Sequence, residues 1–117
     1  MADQLAAGLY GAIVVEDPDP VPVARDRVLV VSDITLDDSG NLAEVSPPQR
    51  MMGREGETVL VNGQVRPQAT AAPGERELWR VVNACPSRYL RLTLDGQTVR
   101  LLGRDIGRLP EPVELTE

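Results

Sequence analysis

Arg27-Val28-Leu29-Val30-Val31-Ser32-Asp33-Ile34 is rich in β-branched residues, bounded by charge, long enough for a strand and too short for an ordinary helix. It reads as the central strand of the fold. Upstream, residues 9–15 join Ile13, Val14 and Val15 to Gly11 and then meet Glu16-Asp17-Pro18-Asp19-Pro20, where prolines and acids stop any regular element. That predicts a strand followed by a linker. Downstream, Asp37-Asp38-Ser39-Gly40-Asn41 has turn composition, because Asp and Asn side chains bond local backbone and Gly40 tolerates positive φ. Residues 42–56 hold Pro47, Pro48, Gly53 and Gly56 and show neither period, which predicts an irregular excursion.

Residues 57–62 (ETVLVN) form a short strand closed by Asn62-Gly63, a pair suited to a type I′ turn, with a hairpin return over Gln64-Val65-Arg66. After a turn at Pro73-Gly74, Leu78, Arg80, Val82 and Ala84 alternate with Trp79, Val81 and Asn83 along a strand. Leu90, Leu92 and Leu94 alternate with Tyr89, Arg91 and Thr93, the clearest period-2 signal in the chain. Asp95-Gly96 then turns the chain so that residues 99–102 return as the partner of that leucine strand, and residues 109–117 begin a new extended segment. Six or so strands with no amphipathic helical stripe predict an all-β sandwich or barrel.

The 117 residues are one domain by size and long enough to bury a core. With 18 acidic and 12 basic residues the net charge is -6, and every basic residue is an arginine, scattered from Arg25 to Arg108. Nucleic-acid binding needs concentrated positive charge, so we expect no nucleic acid as partner. Uninterrupted apolar stretches run no longer than that of residues 12–15, far short of the roughly 20 that span a bilayer, so we expect no membrane partner. Met1-Ala2-Asp3-Gln4 lacks the positive start and apolar run of a secretory signal. The histidine count is zero, which removes imidazole-ligated copper or zinc, the Ser-His-Asp triad and histidine acid-base chemistry together. Cys85 is the single cysteine, so no internal disulfide forms.

Four motifs in register resemble one family. Gln4-Leu5-Ala6-Ala7-Gly8-Leu9-Tyr10-Gly11, with the apolar segment after it, looks like the end of the first domain of multicopper oxidases, where Q-x-x-x-G-L-Y-G follows a copper-binding H-x-H motif. Val28-Leu29-Val30-Val31-Ser32-Asp33 is similar to the opening strand of that family's middle domain. Thr58-Val59-Leu60-Val61-Asn62-Gly63-Gln64 resembles its V-x-V-N-G hallmark, and Leu78-Trp79-Arg80-Val81-Val82-Asn83-Ala84 its R-[LVI]-[VIL]-N-A strand. The resemblance runs from Gln4 to about Asp105. Arg104-Asp105-Ile106-Gly107 departs from it, standing where many members have a D-G-G turn.

The resemblance implies a cupredoxin-like Greek-key β-sandwich, incomplete at its C-terminal edge. Residues 1–20 would be the final strand of a preceding cupredoxin domain plus linker, and residues 21–117 a truncated second, middle domain. Copper ligands in this family lie on the first and last domains, so the resemblance implies no copper in this chain and copper in its parent. The last histidine of the upstream motif would fall just before Met1. The implied parent is laccase-like, oxidising phenols or metal ions while reducing dioxygen to water, and exported to periplasm or exterior. This chain would be scaffold between copper-bearing cupredoxin domains, inactive alone and prone to self-association through an uncovered sheet edge. Two alternatives stand beside it: a stand-alone β-sandwich interaction module without enzymatic activity, and a short protein that partners separate copper-bearing chains.

No residue is expected to be catalytic, cofactor-binding or metal-ligating. Cys85 lacks the imidazoles a type 1 copper needs and reads as structural. Met51 and Met52 are too few for a thioether copper site and read as loop or gap-filling residues. Asp37, Ser39 and Asn41 resemble a calcium loop only in passing, with the glycine misplaced and the distal Glu missing. Asp33 and Asp105 are the best carboxylate pair available, yet each reads as solvated or arginine-paired. Trp79 reads as core or inter-domain packing, Asn83 as a side chain holding the loop after its strand, and Arg80, Arg88 and Arg91 as ion-pair partners.

Overall fold

A computed structural model describes residues 2–105 and 107–115. Strand β1 (Arg25–Ile34) is central in a three-stranded sheet. Strand β2 (Thr58–Val61) runs antiparallel beside it, pairing Val31 with Val61 and Asp33 with Val59. Strand β3 (Glu77–Asn83) lies parallel on the other side, pairing Arg25 with Glu77 and Val31 with Asn83. The β-branched run at residues 28–31 therefore sits at the middle of the sheet, as its composition requires. Asn62 and Gly63 both take positive φ, 50° and 76°, as a type I′ turn demands. The Asn62 side chain continues the ladder: its Oδ1 accepts from Val30 N–H at 2.9 Å and its Nδ2 donates to Val28 O at 3.0 Å. Beyond this turn the expected return strand shrinks to one bridge, Val61 to Gln64.

Strands β4 (Val99–Arg104) and β5 (Gly107–Leu115) form a separate two-stranded antiparallel sheet with a register shift between Leu101 and Gly103. Pro110 and Pro112 lie in β5, which pairs with β4 alone; prolines belong on such an edge because they cannot donate to a ladder. The turn between them contains Asp105 at φ 51°, while Ile106 lies outside the described residues.

Several expectations need correction. Residues 89–95 carry the strongest alternation but form no strand, and β4 pairs with β5 instead. Residues 9–15 are no strand either; helix α1 (Ala2–Ala6) precedes them, Leu9 and Tyr10 N–H donate back to Gln4 O and Gly8 O, and residues 11–15 make no backbone hydrogen bond among the described residues. The excursion at residues 42–56 contains helix α2 (Pro47–Met52), started by Pro at its first positions and by Gln49 Oε1 accepting from Ser46 N–H at 3.0 Å. The expected turns do form. Asp37 Oδ1 accepts from Ser39 and Asn41 N–H, and Glu75 N–H donates to Ala72 O across Pro73 and Gly74.

Regular structure is thus all-β but for two short helices, in keeping with a cupredoxin-like domain. The sheets share little interior. Val31 and Ala84 are the buried hydrophobic residues among those described. The radius of gyration is 16.6 Å, against about 13 Å for a compact chain of this length.

Candidate functional site

Buried polar groups gather at the end of β1. Side chains alternate across a strand, so Ser32 and Asp33 face opposite sides of the sheet and each must find its own partner. Asp33 Oδ2 accepts from Gly56 N–H at 2.9 Å and from Arg88 Nε at 3.0 Å. Arg88 Nη2 donates to Gly56 O at 2.7 Å, and its pairing with Asp33 holds the guanidinium pKa above its ordinary value. Arg54 is buried beside this pair. Its N–H donates to Ser87 Oγ at 2.9 Å, and its guanidinium donates to Ala43 O at 2.9 Å and Thr35 O at 3.2 Å. On the opposite face Tyr10 OH donates to Ser32 Oγ at 2.7 Å.

Two glycines let these segments approach. A methyl at Gly56 would run into the backbone of Asp33 and Ile34, and one at Gly53, φ 94°, into the Ser87 side chain. The cluster clasps the 54–56 segment, the end of β1 and the loop after β3. Every buried side-chain nitrogen and oxygen among the described residues has a partner. These hydrogen bonds act together as a clasp.

Cys85 lies beside the clasp. Burial, and then the Asp33 carboxylate, push its thiol pKa up, which disfavours the thiolate that metals and electrophiles need. Asn83 holds this loop as expected: Nδ2 donates to Arg88 O at 2.8 Å and Oδ1 accepts from Cys85 N–H at 3.1 Å. Asp33 and Asp105 do not form a pair, since Asp33 is bound to Arg88 and Asp105 sits in the turn of the other sheet. Met51 and Met52 are exposed at the end of α2. No group of three or more His, Cys, Asp or Glu side chains that would hold a metal occurs among the described residues. The sequence holds no imidazole to join the Cys85 thiol as a copper ligand.

A second polar group straddles the start of β1 and β3. Glu77 accepts from Arg27 at 2.9 and 3.0 Å and from Trp79 Nε1 at 2.8 Å, and these bonds, Arg27 first, lower its pKa to about 2. Arg80 grips Asp26 through Nε and Nη2 at 2.9 to 3.1 Å. Trp79 is not core: it is 44% exposed, on the same sheet face as Val81 at 41% and Val59 at 40%. A hollow of about 290 Å³ between Ala6, Tyr10, Leu36, Leu42 and Leu60 is open and at the bottom of the range for ligand sites.

Sequence reasoning named Asp33, Asn83 and Arg88 but missed Arg54, Gly56 and Ser87. An acid within an apolar strand signals a buried partner without saying which of 12 arginines supplies it.

No family model matches the chain, and no solved structure matches it. Over 125 residues it is 33% identical to a laccase of Bacillus subtilis, an alignment covering 93% of this chain and 24% of that protein. The chain is also 35% identical over 124 residues to the cell division protein FtsP of Xenorhabdus nematophila, covering 99% of the chain and 26% of that protein. FtsP of Dickeya dadantii is 33% identical over 125 residues, covering 100% and 26%. These relatives support the multicopper oxidase family, which the motifs beginning at Gln4, Val28, Thr58 and Leu78 resemble. The chain spans about a quarter of the length of the relatives it matches.

Proposed function

We propose that this chain is the copper-free structural part of a multicopper oxidase, joining copper-bearing cupredoxin domains. Residues 1–20 are the tail of the first of these and the linker, and residues 21–117 belong to the middle one. The observation that carries the proposal is uncovered surface. A folded monomer of 12.7 kDa exposes about 6,200 Å² by the usual scaling, whereas this chain exposes 9,686 Å². The excess, roughly 3,400 Å², is the size of an obligate interface. Val59, Trp79 and Val81 are each 40 to 44% exposed on one sheet face, beside the Arg27–Glu77 pair, a mixture of apolar and polar groups usual for an interface.

The parent takes electrons from phenols or metal ions and passes them to dioxygen; it is exported. This chain supplies packing and holds no copper. Elemental analysis after incubation with copper and desalting, beside an assay with a phenolic donor, tests this. No stoichiometric copper and no turnover are expected of the chain, and copper with turnover of the protein containing the flanking domains. One tightly held copper per chain would overturn it. The FtsP matches, which span the chain as fully as the laccase match, favour a second reading in which the parent serves cell division. A division defect on deletion, with no phenol oxidation by the parent, would select that reading.

A further inference from the structure

Strand β3 has an open edge. Arg76 O accepts from Ala24 N–H and Ala84 N–H donates to Val31 O, so the even-numbered residues of this stretch turn their backbone groups toward β1. Glu77, Trp79, Val81 and Asn83 therefore aim theirs outward, where no described backbone group meets them. Other edges are blunted: β5 carries Pro110 and Pro112, β4 carries Arg100 and Arg104, and β2 has 4 residues. Strand β3 has 7 residues and no proline.

Elsewhere the chain holds an apolar segment that belongs to no sheet. Residues 11–15 (GAIVV) make no backbone hydrogen bond among the described residues, and Ile13 and Val15 are 94% and 83% exposed. Tyr10, bonded to Ser32, anchors the segment at its start. Extended apolar peptide and open edge satisfy one another by strand addition: main-chain bonds give affinity and alternate side chains give fit. Ile13 and Val15 share a face, as do Trp79 and Val81, so a single register places all four together.

We infer that the isolated chain forms a reciprocal dimer in which residues 11–15 of each copy add to the outer edge of β3 in a second copy. The exchange is isologous and therefore closes at two. The uncovered surface exceeds the ~1,200–2,000 Å² that stable pairs bury. This dimer does not depend on the oxidase reading, since in a parent protein the parent's own chain would cover the same edge.

Light scattering across a concentration series tests it. The expected mass is twice the chain mass of 12.7 kDa, falling to one chain mass on dilution. Ile13→Lys with Val15→Lys changes exposed side chains only and is expected to give monomer with an unaltered circular dichroism spectrum. Val81→Pro removes an outward N–H without touching the β1 ladder and is expected to do the same. Amide exchange of the unaltered chain gives the answer should a variant unfold: the Trp79, Val81 and Asn83 amides are protected in the dimer and lose that protection on dilution. A monomer at every concentration, a dimer that survives both variants, or outward amides that exchange freely in the dimer would each overturn the inference. The copper and oxidase assays do not bear on it, so the two readings fail separately.

Discussion

Asp33 shows what one side chain contributes here. Its side chain is 1% exposed, so the charge is tolerable only while Arg88 and Gly56 N–H hold it. Removing Arg88 leaves a buried carboxylate with the Gly56 N–H as its donor, and Arg88→Ala is expected to lower the urea unfolding midpoint well below that of the unaltered chain. Asp33→Asn in the same background should recover part of that loss, because it removes the stranded charge. Arg80→Ala provides the contrast. Arg80 and Asp26 are comparably close but exposed, and a cost under about 1 kcal/mol is expected. Equal losses for Arg88→Ala and Arg80→Ala would show that burial does not set the value of these pairs.

The parallel pairing of β1 with β3 is the element on which pH acts. Arg27 and Trp79 hold Glu77 across the two strands and lower its pKa from 4.5 to about 2. A lowered carboxylate pKa stabilises the fold above the unfolded value and loses that contribution as pH falls through the folded one. Stability of the sheet is therefore expected to drop between about pH 4.5 and pH 2, and Glu77→Gln to flatten that slope in thermal melts across the range. Strands at this scale were readable where composition and length agreed, as in residues 27–34 and 58–61. The leucine alternation of residues 89–95 failed because period 2 states only that a segment fits a pleated surface, and no neighbouring strand is there to pair with it. Helix α2 is hidden in the sequence because Pro47 and Pro48 read equally as breakers, although Ser46-Pro47-Pro48-Gln49 is also a helix start. The clasp was legible only as an acid awaiting an arginine. Its glycine and serine contacts join segments more than 20 residues apart, which local pattern does not encode.

At the scale of the whole molecule, the accessible surface decides how cooperatively the chain unfolds. An unfolded chain of 12.7 kDa exposes about 18,400 Å², so reaching 9,686 Å² buries close to half of it, where a compact monomer of that mass buries about two thirds. Denaturant slope and heat-capacity change both follow the area exposed on unfolding. Each is therefore expected to come out near 70% of the value usual for this length, or about 1.0–1.2 kcal/mol/K in heat capacity instead of about 1.4–1.8. The experiment is differential scanning calorimetry with urea titration, at dilutions where light scattering shows one chain. Raising the concentration until chains pair should increase both quantities, because a partner covers the face of Val59, Trp79 and Val81 and the edge of β3. A full-sized slope in the dilute monomer would mean that the sheets close on themselves, and that neither a flanking domain nor a second copy is needed to complete the core.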